Sequence, residues 1–143
     1  MKKILLFGAG KSATVLIDYL LENAKKESWQ LTLVDADLQL AKSKIGDSSN
    51  GIPLSFDIKN EVERKKNIEQ SDIVISLLPP ALHYIVAQDC AELKKNLLTA
   101  SYVDERIKNL KSKIENNNLL FLCEMGLDPG IDHMSAMPPI ILA

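Results

Sequence analysis

The chain has 143 residues, of which 46% are hydrophobic, 25% charged and 5% aromatic. Chains of ~100–200 residues usually form one domain, so this composition predicts a single globular unit and excludes a large two-domain enzyme. Seventeen basic residues against nineteen acidic ones leave a net charge of −2. Because no segment concentrates basic residues beside aromatic ones, we expect no nucleic-acid partner.

The two cysteines, Cys90 and Cys123, belong to no CxxC or Cys/His cluster, so neither a disulfide framework nor a metal site is predicted. The apolar run of residues 4–10 is too short for a signal peptide, and Lys11 interrupts it. The run of residues 73–82 contains Pro79 and Pro80 and falls short of the ~20 apolar residues that a membrane span requires. We therefore expect a cytoplasmic protein that does not enter a membrane.

Short apolar runs alternate along the chain with segments of helical periodicity. Six runs are typical of strands buried on both faces: residues 4–7, 31–34, 52–56, 73–77, 97–100 and 119–122. Apolar faces at helical spacing lie within residues 13–21, 82–93 and 103–114, and two more polar helical segments lie around 38–45 and 60–70. This alternation predicts an α/β fold, a doubly wound parallel sheet of about six strands known as the Rossmann fold.

A glycine-rich turn follows the first predicted strand. Its sequence GAGKSA, residues 8–13, has the form GxGxxA, in which Gly8 permits a tight turn, Gly10 lets a pyrophosphate approach the backbone and Ala13 allows close helix packing. The helix start at Lys11 and Ser12 offers amides and a positive dipole end to phosphates. Such a turn also occurs where no ligand binds, so the elements around it decide whether it predicts a phosphate site. The spacing of a Walker A loop is absent.

An acidic segment ends the second predicted strand, 25 residues after Gly10. Asp35 lies near the position of the carboxylate that accepts the adenosine ribose hydroxyls, and Ala36 follows it. Strand, turn, helix, strand and acid in this order predict a dinucleotide site that holds NAD or NADP.

The charge of Asp35 bears on the choice between NAD and NADP. A carboxylate at Asp35 repels a 2′-phosphate, which favours NAD over NADP. In the alternative interpretation, Asp37 caps the next helix while Lys42 and Lys44 reach a phosphate.

Further cofactor-lining positions are predicted after the later strands. They are Asp57 and Ile58 beside the adenine, Ser76, Leu77, Leu78 and Pro79 beside the nicotinamide ribose, and Ser101 after the fifth strand. Asp57 has an alternative role as the cap of a helix that begins near Lys59. Pro79 and Pro80 are expected to hold an extended backbone and start the next helix, in which His83 is expected at the surface or partly buried rather than catalytic.

Four strings together resemble the saccharopine dehydrogenase (saccharopine reductase) family. They are GAGKSA, ISLLPPALHYIVAQDC, TASYV and EMGLDPGIDHM, of which GLDPGIDHM is the specific part. The resemblance covers essentially the whole chain, but it corresponds to the N-terminal cofactor portion of enzymes several hundred residues long. It implies a dinucleotide-binding Rossmann domain at residues 1–127 and, at residues 128–143, the start of a crossover to an absent substrate domain.

The resemblance implies an NAD(P)-dependent oxidoreductase of lysine metabolism that forms or cleaves a secondary amine of an amino acid through an imine. The 143 residues alone are then expected to bind the cofactor but to catalyse poorly, and a homodimer is left open. Candidates for the reactive end are Ser101 and Tyr102 after the fifth strand and residues 124–133 after the sixth, among them Asp128, Asp132 and His133. Asp104 and Cys123 are candidates to assist proton transfer. Each has a structural alternative, such as a core-covering Tyr102, an inert Cys123 or an Asp128 that only forms a turn. The family continues as a helix after GIDHM, whereas this chain continues into Pro138 and Pro139.

A regulatory module that senses NAD(H) without catalysis is the alternative from another functional class. Single Rossmann domains of this kind have a similar length and share the glycine turn and the acid. GLDPGIDHM discriminates between the two, since a sensor has no evident need for it.

Overall fold

The structure is a computed structural model that describes residues 1–126, 129–132 and 134–135. Its six strands are β1 (Lys2–Phe7), β2 (Trp29–Asp35), β3 (Gly51–Ser55), β4 (Ile73–Ser76), β5 (Asn96–Thr99) and β6 (Phe121–Leu122). All neighbouring strands pair in parallel. Their order across the sheet is β3-β2-β1-β4-β5-β6, which confirms the predicted doubly wound arrangement.

Six helices connect the strands. They are α1 (Thr14–Glu27), α2 (Leu38–Ile45), α3 (Glu61–Glu69), α4 (Pro80–Glu92), α5 (Glu105–Lys108) and α6 (Lys111–Asn116), and a short 3-10 turn at Lys11–Ala13 precedes α1. The apolar pattern over residues 103–114 does not form one helix. The amide of Leu110 donates to the carbonyl of Ile107, three residues back, and this tighter turn separates α5 from α6.

The core has one hydrophobic cluster on each face of the sheet. Ile4 and Leu6 pack against Ile17 of α1 on one face, while Leu5 and Phe7 belong to the cluster that contains α4 on the other. Successive strand residues point to opposite faces, so a strand covered on both sides needs apolar residues throughout. This requirement explains why the strands appear in the sequence as continuous apolar runs.

Some predictions fall on residues that the structure does not describe. The domain boundary between residues 127 and 128, the candidates Asp128 and His133, and the Pro138-Pro139 pair lie outside the described residues. Among the described helices, none is long and apolar enough to cross a membrane.

Candidate cofactor site

The site lies at the carboxyl ends of the parallel strands, where the strand order reverses between β1 and β4. Ligands of doubly wound sheets bind at this reversal because the loops after the two strands diverge to opposite faces. Two cavities open along this edge. We call them the β2–β3 cavity, about 660 Å³ in volume, and the β4–β5 cavity, about 270 Å³.

Gly8 and Gly10 shape the turn after β1. Gly8 has φ +101°, and a Cβ atom there would lie 2.8 Å from the carbonyl oxygen of Leu77, so the predicted tight turn is confirmed. Gly10 has φ −61° and ψ 175°, and a Cβ atom there would meet no atom within 4 Å. The space above Gly10 is therefore open to a ligand that approaches the backbone.

Residues after Gly10 begin the helical segment. Ala13 is fully buried against the sheet, as its role in close helix packing requires, and Lys11 and Ser12 are exposed. The first amides of a helix have no acceptor within that helix and carry the positive end of its dipole. This end of α1 has the chemistry to hold phosphate oxygens beside the open face of Gly10.

Asp35 joins the glycine turn to the end of β2. One carboxylate oxygen accepts a hydrogen bond from the Ala9 amide at 2.8 Å, and the other accepts from the Asp37 amide at 3.0 Å. Asp35 also lines the β2–β3 cavity. Each carboxylate oxygen has a second lone pair, so Asp35 keeps acceptor capacity for two ribose hydroxyls.

Asp37 caps α2, as the alternative interpretation predicted. Its side chain accepts from the amides of Gln39 and Leu40 at 2.8 and 3.2 Å. Lys42 and Lys44 lie in the last turn of α2, and neither lines the β2–β3 cavity. Nζ of Lys44 nevertheless donates to Oγ1 of Thr14 at 2.5 Å, so this lysine lies beside the start of α1 that follows the glycine turn.

The β2–β3 cavity has apolar walls and a polar rim, which suits a flat heterocycle with polar edges. Its lining includes Ala36, Phe56, Asp57, Ile58, Lys59, Leu78 and Pro79.

The predicted capping role of Asp57 is wrong in one respect. Asp57 accepts from the Lys59 amide at 2.9 Å, but α3 begins two residues later and is capped by Asn60, whose side chain accepts from the Glu63 amide at 3.3 Å.

A buried ion pair between α3 and α4 holds the loop that lines this cavity. Arg64 of α3 and Asp89 of α4 are 6% and 3% exposed, and Nε of Arg64 lies 2.5 Å from the Asp89 carboxylate. Nη1 of Arg64 also donates to the Ile58 carbonyl at 2.6 Å. The loop that follows β3 is thus tied to both helices.

The β4–β5 cavity is lined by residues of three loops, of the 3-10 turn before α1 and of the first turn of α4. Its lining comprises Ser12, Leu77, Leu78, Pro80, His83, Ala100, Ser101, Tyr102 and Pro129. Pro79 has φ −55° and ψ 147°, and Pro80 is the first residue of α4, which confirms the predicted role of the proline pair. Ser76, predicted beside the cofactor, is fully buried beneath α4 and lines neither cavity.

His83 is buried, contrary to the expectation of a surface or partly buried position. Its Nδ1 lies 2.8 Å from Oγ of Ser76 and 3.1 Å from Oγ1 of Thr99. Burial lowers the pKa of His83, and an interaction with the Leu78 backbone offsets part of that effect. The signal for burial was the i, i+3, i+7 spacing with Val86 and Cys90.

The reactive-end candidates separate into two groups. Ser101 and Tyr102 line the β4–β5 cavity, whereas Cys123 lines a different cavity of about 420 Å³ beside α5 and α6. Burial raises the pKa of the Cys123 thiol, and Glu124 raises it further. Asp104 caps α5, and the hydrogen bond from the Ile107 amide lowers its pKa. The structure therefore brings Ser101 and Tyr102 together and keeps Cys123 apart.

The loop after β6 closes tightly onto the same edge of the sheet. The Gly126 amide donates to the Pro129 carbonyl at 3.0 Å, and the Ile131 amide donates to the Gly126 carbonyl at 2.8 Å. Gly130 has φ +147°, and a Cβ atom there would collide with Gly126. The turn within GLDPGIDHM thereby brings Pro129 to the β4–β5 cavity. In the described part of the chain, no group of three or more His, Cys, Asp or Glu residues could hold a metal ion.

A doubly wound parallel sheet with an open glycine turn after β1, an acid at the end of β2 and cavities on both sides of the strand reversal defines a dinucleotide-binding Rossmann domain. Residues 4–122 match the family described as "Saccharopine dehydrogenase NADP binding domain". The chain belongs to the saccharopine dehydrogenase family.

Individual relatives agree with this assignment. The chain is 36% identical to an Arabidopsis thaliana protein named alpha-aminoadipic semialdehyde synthase, over 96% of this chain and 14% of the relative. It is 30% identical to the Saccharomyces cerevisiae saccharopine dehydrogenase [NADP(+), L-glutamate-forming], over 97% of this chain and 30% of the relative. The chain therefore spans less than a third of the length of either protein.

Solved structures give the same result. The apo form of the L-Glu-forming saccharopine dehydrogenase from S. cerevisiae superimposes with a TM-score of 0.87 at 30% identity, covering 98% of this chain and 31% of that one. Mycobacterium tuberculosis shikimate dehydrogenase superimposes with a TM-score of 0.62 at 15% identity, covering 87% of this chain and 46% of that one. The second similarity concerns the fold alone.

Proposed function

We propose that the chain is the cofactor-binding part of an oxidoreductase that acts on the CH–NH bond of an amino-acid-derived secondary amine, with NAD as the preferred cofactor. The observation that carries the proposal is Asp35 at the rim of the β2–β3 cavity, bonded to the turn whose Gly10 is open to a ligand. Bound nicotinamide supplies hydride transfer, and the chain's own residues bind and orient it.

Each part of a dinucleotide has a matching surface. We assign the adenine to the β2–β3 cavity beside Ala36, Asp57 and Ile58, and the adenosine ribose to Asp35. The pyrophosphate then lies over Gly10, within reach of the amides at the start of the helical segment. The nicotinamide half extends toward the β4–β5 cavity, where Ser101 offers a hydroxyl.

The preference for NAD rests on charge at the ribose end. Asp35 and Asp57 are the two acids among the described lining residues of this cavity, and Lys59 is the one basic side chain among them. A 2′-phosphate beside Asp35 would face a carboxylate whose charge is already stabilised by two amides. The family description and the yeast relative's name specify NADP, so this chain is proposed to differ from them in cofactor preference.

Calorimetric titration with NAD, NADH, NADP, NADPH, ATP and ADP tests both the dinucleotide site and the preference for NAD. We expect NADH to bind more tightly than NADPH by roughly tenfold, about 1.4 kcal/mol. Asp35→Asn keeps an acceptor oxygen but removes the charge, so the NADH-to-NADPH affinity ratio should fall toward one. Asp18→Asn, an exposed acid on α1, is the matched control and should leave the ratio unchanged.

Two results would contradict the proposal at different levels. Equal affinity of the wild-type chain for NADH and NADPH would refute the NAD preference alone. Binding of ATP or ADP without binding of any dinucleotide would refute the cofactor-domain assignment.

The family membership favours the oxidoreductase over the sensing module. In addition, Pro129, a described residue of the GLDPGIDHM segment, lines the β4–β5 cavity, which supports a role of this segment at the reactive end. The names of the relatives support a substrate related to saccharopine. A cytoplasmic location and a homodimer stay predictions, and the bovine relative is named as mitochondrial.

A further inference from the structure

Three buried polar side chains meet between the ends of β4 and β5. Ser76, Thr99 and His83 are 0%, 1% and 5% exposed, and they adjoin the apolar cluster on the α4 face of the sheet. Burial of a polar group is costly unless it is hydrogen-bonded, and all three are hydrogen-bonded to one another through Nδ1 of His83. Apolar residues would fill this space without any need for hydrogen bonds. Packing alone therefore does not explain why the three side chains are polar.

The contacts of this trio lead to the loop after β5, which lines the β4–β5 cavity. Oγ1 of Thr99 accepts a hydrogen bond from the Ser101 amide at 3.2 Å, so it joins His83 to this loop. His83 also lines the same cavity as Leu77 and Leu78 of the loop after β4. Removal of the imidazole would take away the contact that holds the Thr99 hydroxyl in position beneath the Ser101 amide.

The two cavities differ in their dependence on this ring. His83 lines the β4–β5 cavity but not the β2–β3 cavity. The support for the β2–β3 cavity comes instead from the buried pair of Arg64 and Asp89, which joins α3 to α4. A disturbance at His83 should therefore affect the two halves of a dinucleotide unequally.

We infer that His83 is a positioning residue for the nicotinamide half of the cofactor, acting through Thr99 on the Ser101 loop. This inference rests on the proposed function. It does not require His83 to touch the reacting atoms or to transfer a proton. It predicts that His83 contributes to the affinity for NADH and not to the affinity for ADP-ribose, which lacks nicotinamide.

The test compares NADH with ADP-ribose as ligands of the same variants. His83→Leu removes the ring nitrogens, and we expect the affinity for NADH to fall roughly tenfold while that for ADP-ribose changes less than about twofold. His83→Asn places an amide near the position of Nδ1 and should restore most of the affinity for NADH. The emission maximum of bound NADH, which reports the surroundings of the nicotinamide, should shift in His83→Leu and return in His83→Asn.

Two further variants separate positioning from general loss of stability. Cys90→Ala creates a small defect in the same helix and cluster without lining either cavity, so it should lower the melting temperature and leave the ratio of the two affinities unchanged. If His83→Leu fails to fold, Thr99→Val gives the test, since it keeps the shape of the side chain and removes the hydroxyl that His83 and Ser101 share.

The outcomes distinguish the inference from the function on which it rests. Equal losses for NADH and ADP-ribose, or no loss for either, in His83→Leu or in Thr99→Val would overturn the positioning role while leaving cofactor binding intact. A wild-type chain that binds neither ligand would overturn the proposed function and this inference together.

Discussion

The two glycines of the turn after β1 have different physical roles although they are two residues apart. Gly8 is required by its backbone conformation and by its approach to Leu77, both of which belong to the folded chain itself. Gly10 has a conformation that other residues adopt and an open space beside it. We therefore propose that a ligand, and not folding, requires glycine at this position.

Alanine at each position should separate these roles. Gly8→Ala forces a non-glycine residue to φ +101° against a backbone carbonyl, so we expect a loss of ~1–3 kcal/mol in the free energy of unfolding. Gly10→Ala should leave that free energy unchanged or raise it by up to ~1 kcal/mol, because alanine restricts the unfolded chain. Its methyl group should nevertheless abolish most binding of NADH and ADP-ribose. Urea denaturation and calorimetry measure the two effects. Full binding by a stable Gly10→Ala variant would refute the pyrophosphate assignment.

Helices α3 and α4 show how packed elements position a loop that belongs to neither. Arg64 of α3 reaches Asp89 of α4 in the interior and also holds the Ile58 carbonyl. Lys65 adds exposed contacts with Glu61 and Glu92, and these contacts lower the pKa of both glutamates. The buried pair has the larger consequence, because an unpaired charge in the interior cannot be solvated by water.

A double-mutant cycle tests this arrangement. Arg64→Met leaves the buried Asp89 with only its longer contact to Nζ of Lys65 at 3.9 Å, and we expect a loss of about 3–5 kcal/mol in the free energy of unfolding. Arg64→Met combined with Asp89→Leu should recover most of that loss, since an apolar pair of similar volume replaces the charges. Lys108→Met, which removes the exposed contact with Glu105, should have little effect and serves as the control. Additive losses in the double variant would show that the two residues do not act as a pair.

At the scale of the whole molecule, the chain has the surfaces of a cofactor site but few of those that a substrate requires. The described lining of the β4–β5 cavity contains no lysine or arginine that could pair with substrate carboxylates. The chain also spans 31% of the yeast enzyme whose structure it matches. The same fold in a longer protein would have further residues with which to complete this cavity.

We therefore expect the 143-residue chain to bind NADH while showing negligible turnover with saccharopine. Substrate carboxylates would lack charge-assisted partners in the β4–β5 cavity, so neither binding nor orientation of the amine would be supported. Steady-state absorbance at 340 nm, recorded beside calorimetric binding of NADH to the same sample, measures both properties. Turnover at the rate of a complete saccharopine dehydrogenase, assayed in parallel as the control, would contradict this expectation.

Local patterns were sufficient for the strands, for the glycine turn, for the acid at the end of β2 and for the prolines that start α4. These features depend on residues a few positions apart, and the periods of strands and helices are visible at that range. The split between α5 and α6 and the cap of α3 by Asn60 were missed because several residues could end or begin a helix within one turn.

The sequence by itself determined the fold class, the family and the position of the glycine turn after β1. Only the tertiary structure decided that Asp35 bonds Ala9, that His83 joins Thr99 and that Arg64 pairs with Asp89, contacts that span 26, 16 and 25 residues. It also placed Cys123 in a cavity apart from Tyr102. The physical reason is that such contacts depend on which strands lie side by side and which face each helix covers. Strand order brings distant carboxyl ends to one edge of the sheet, and no local period in the chain encodes that order.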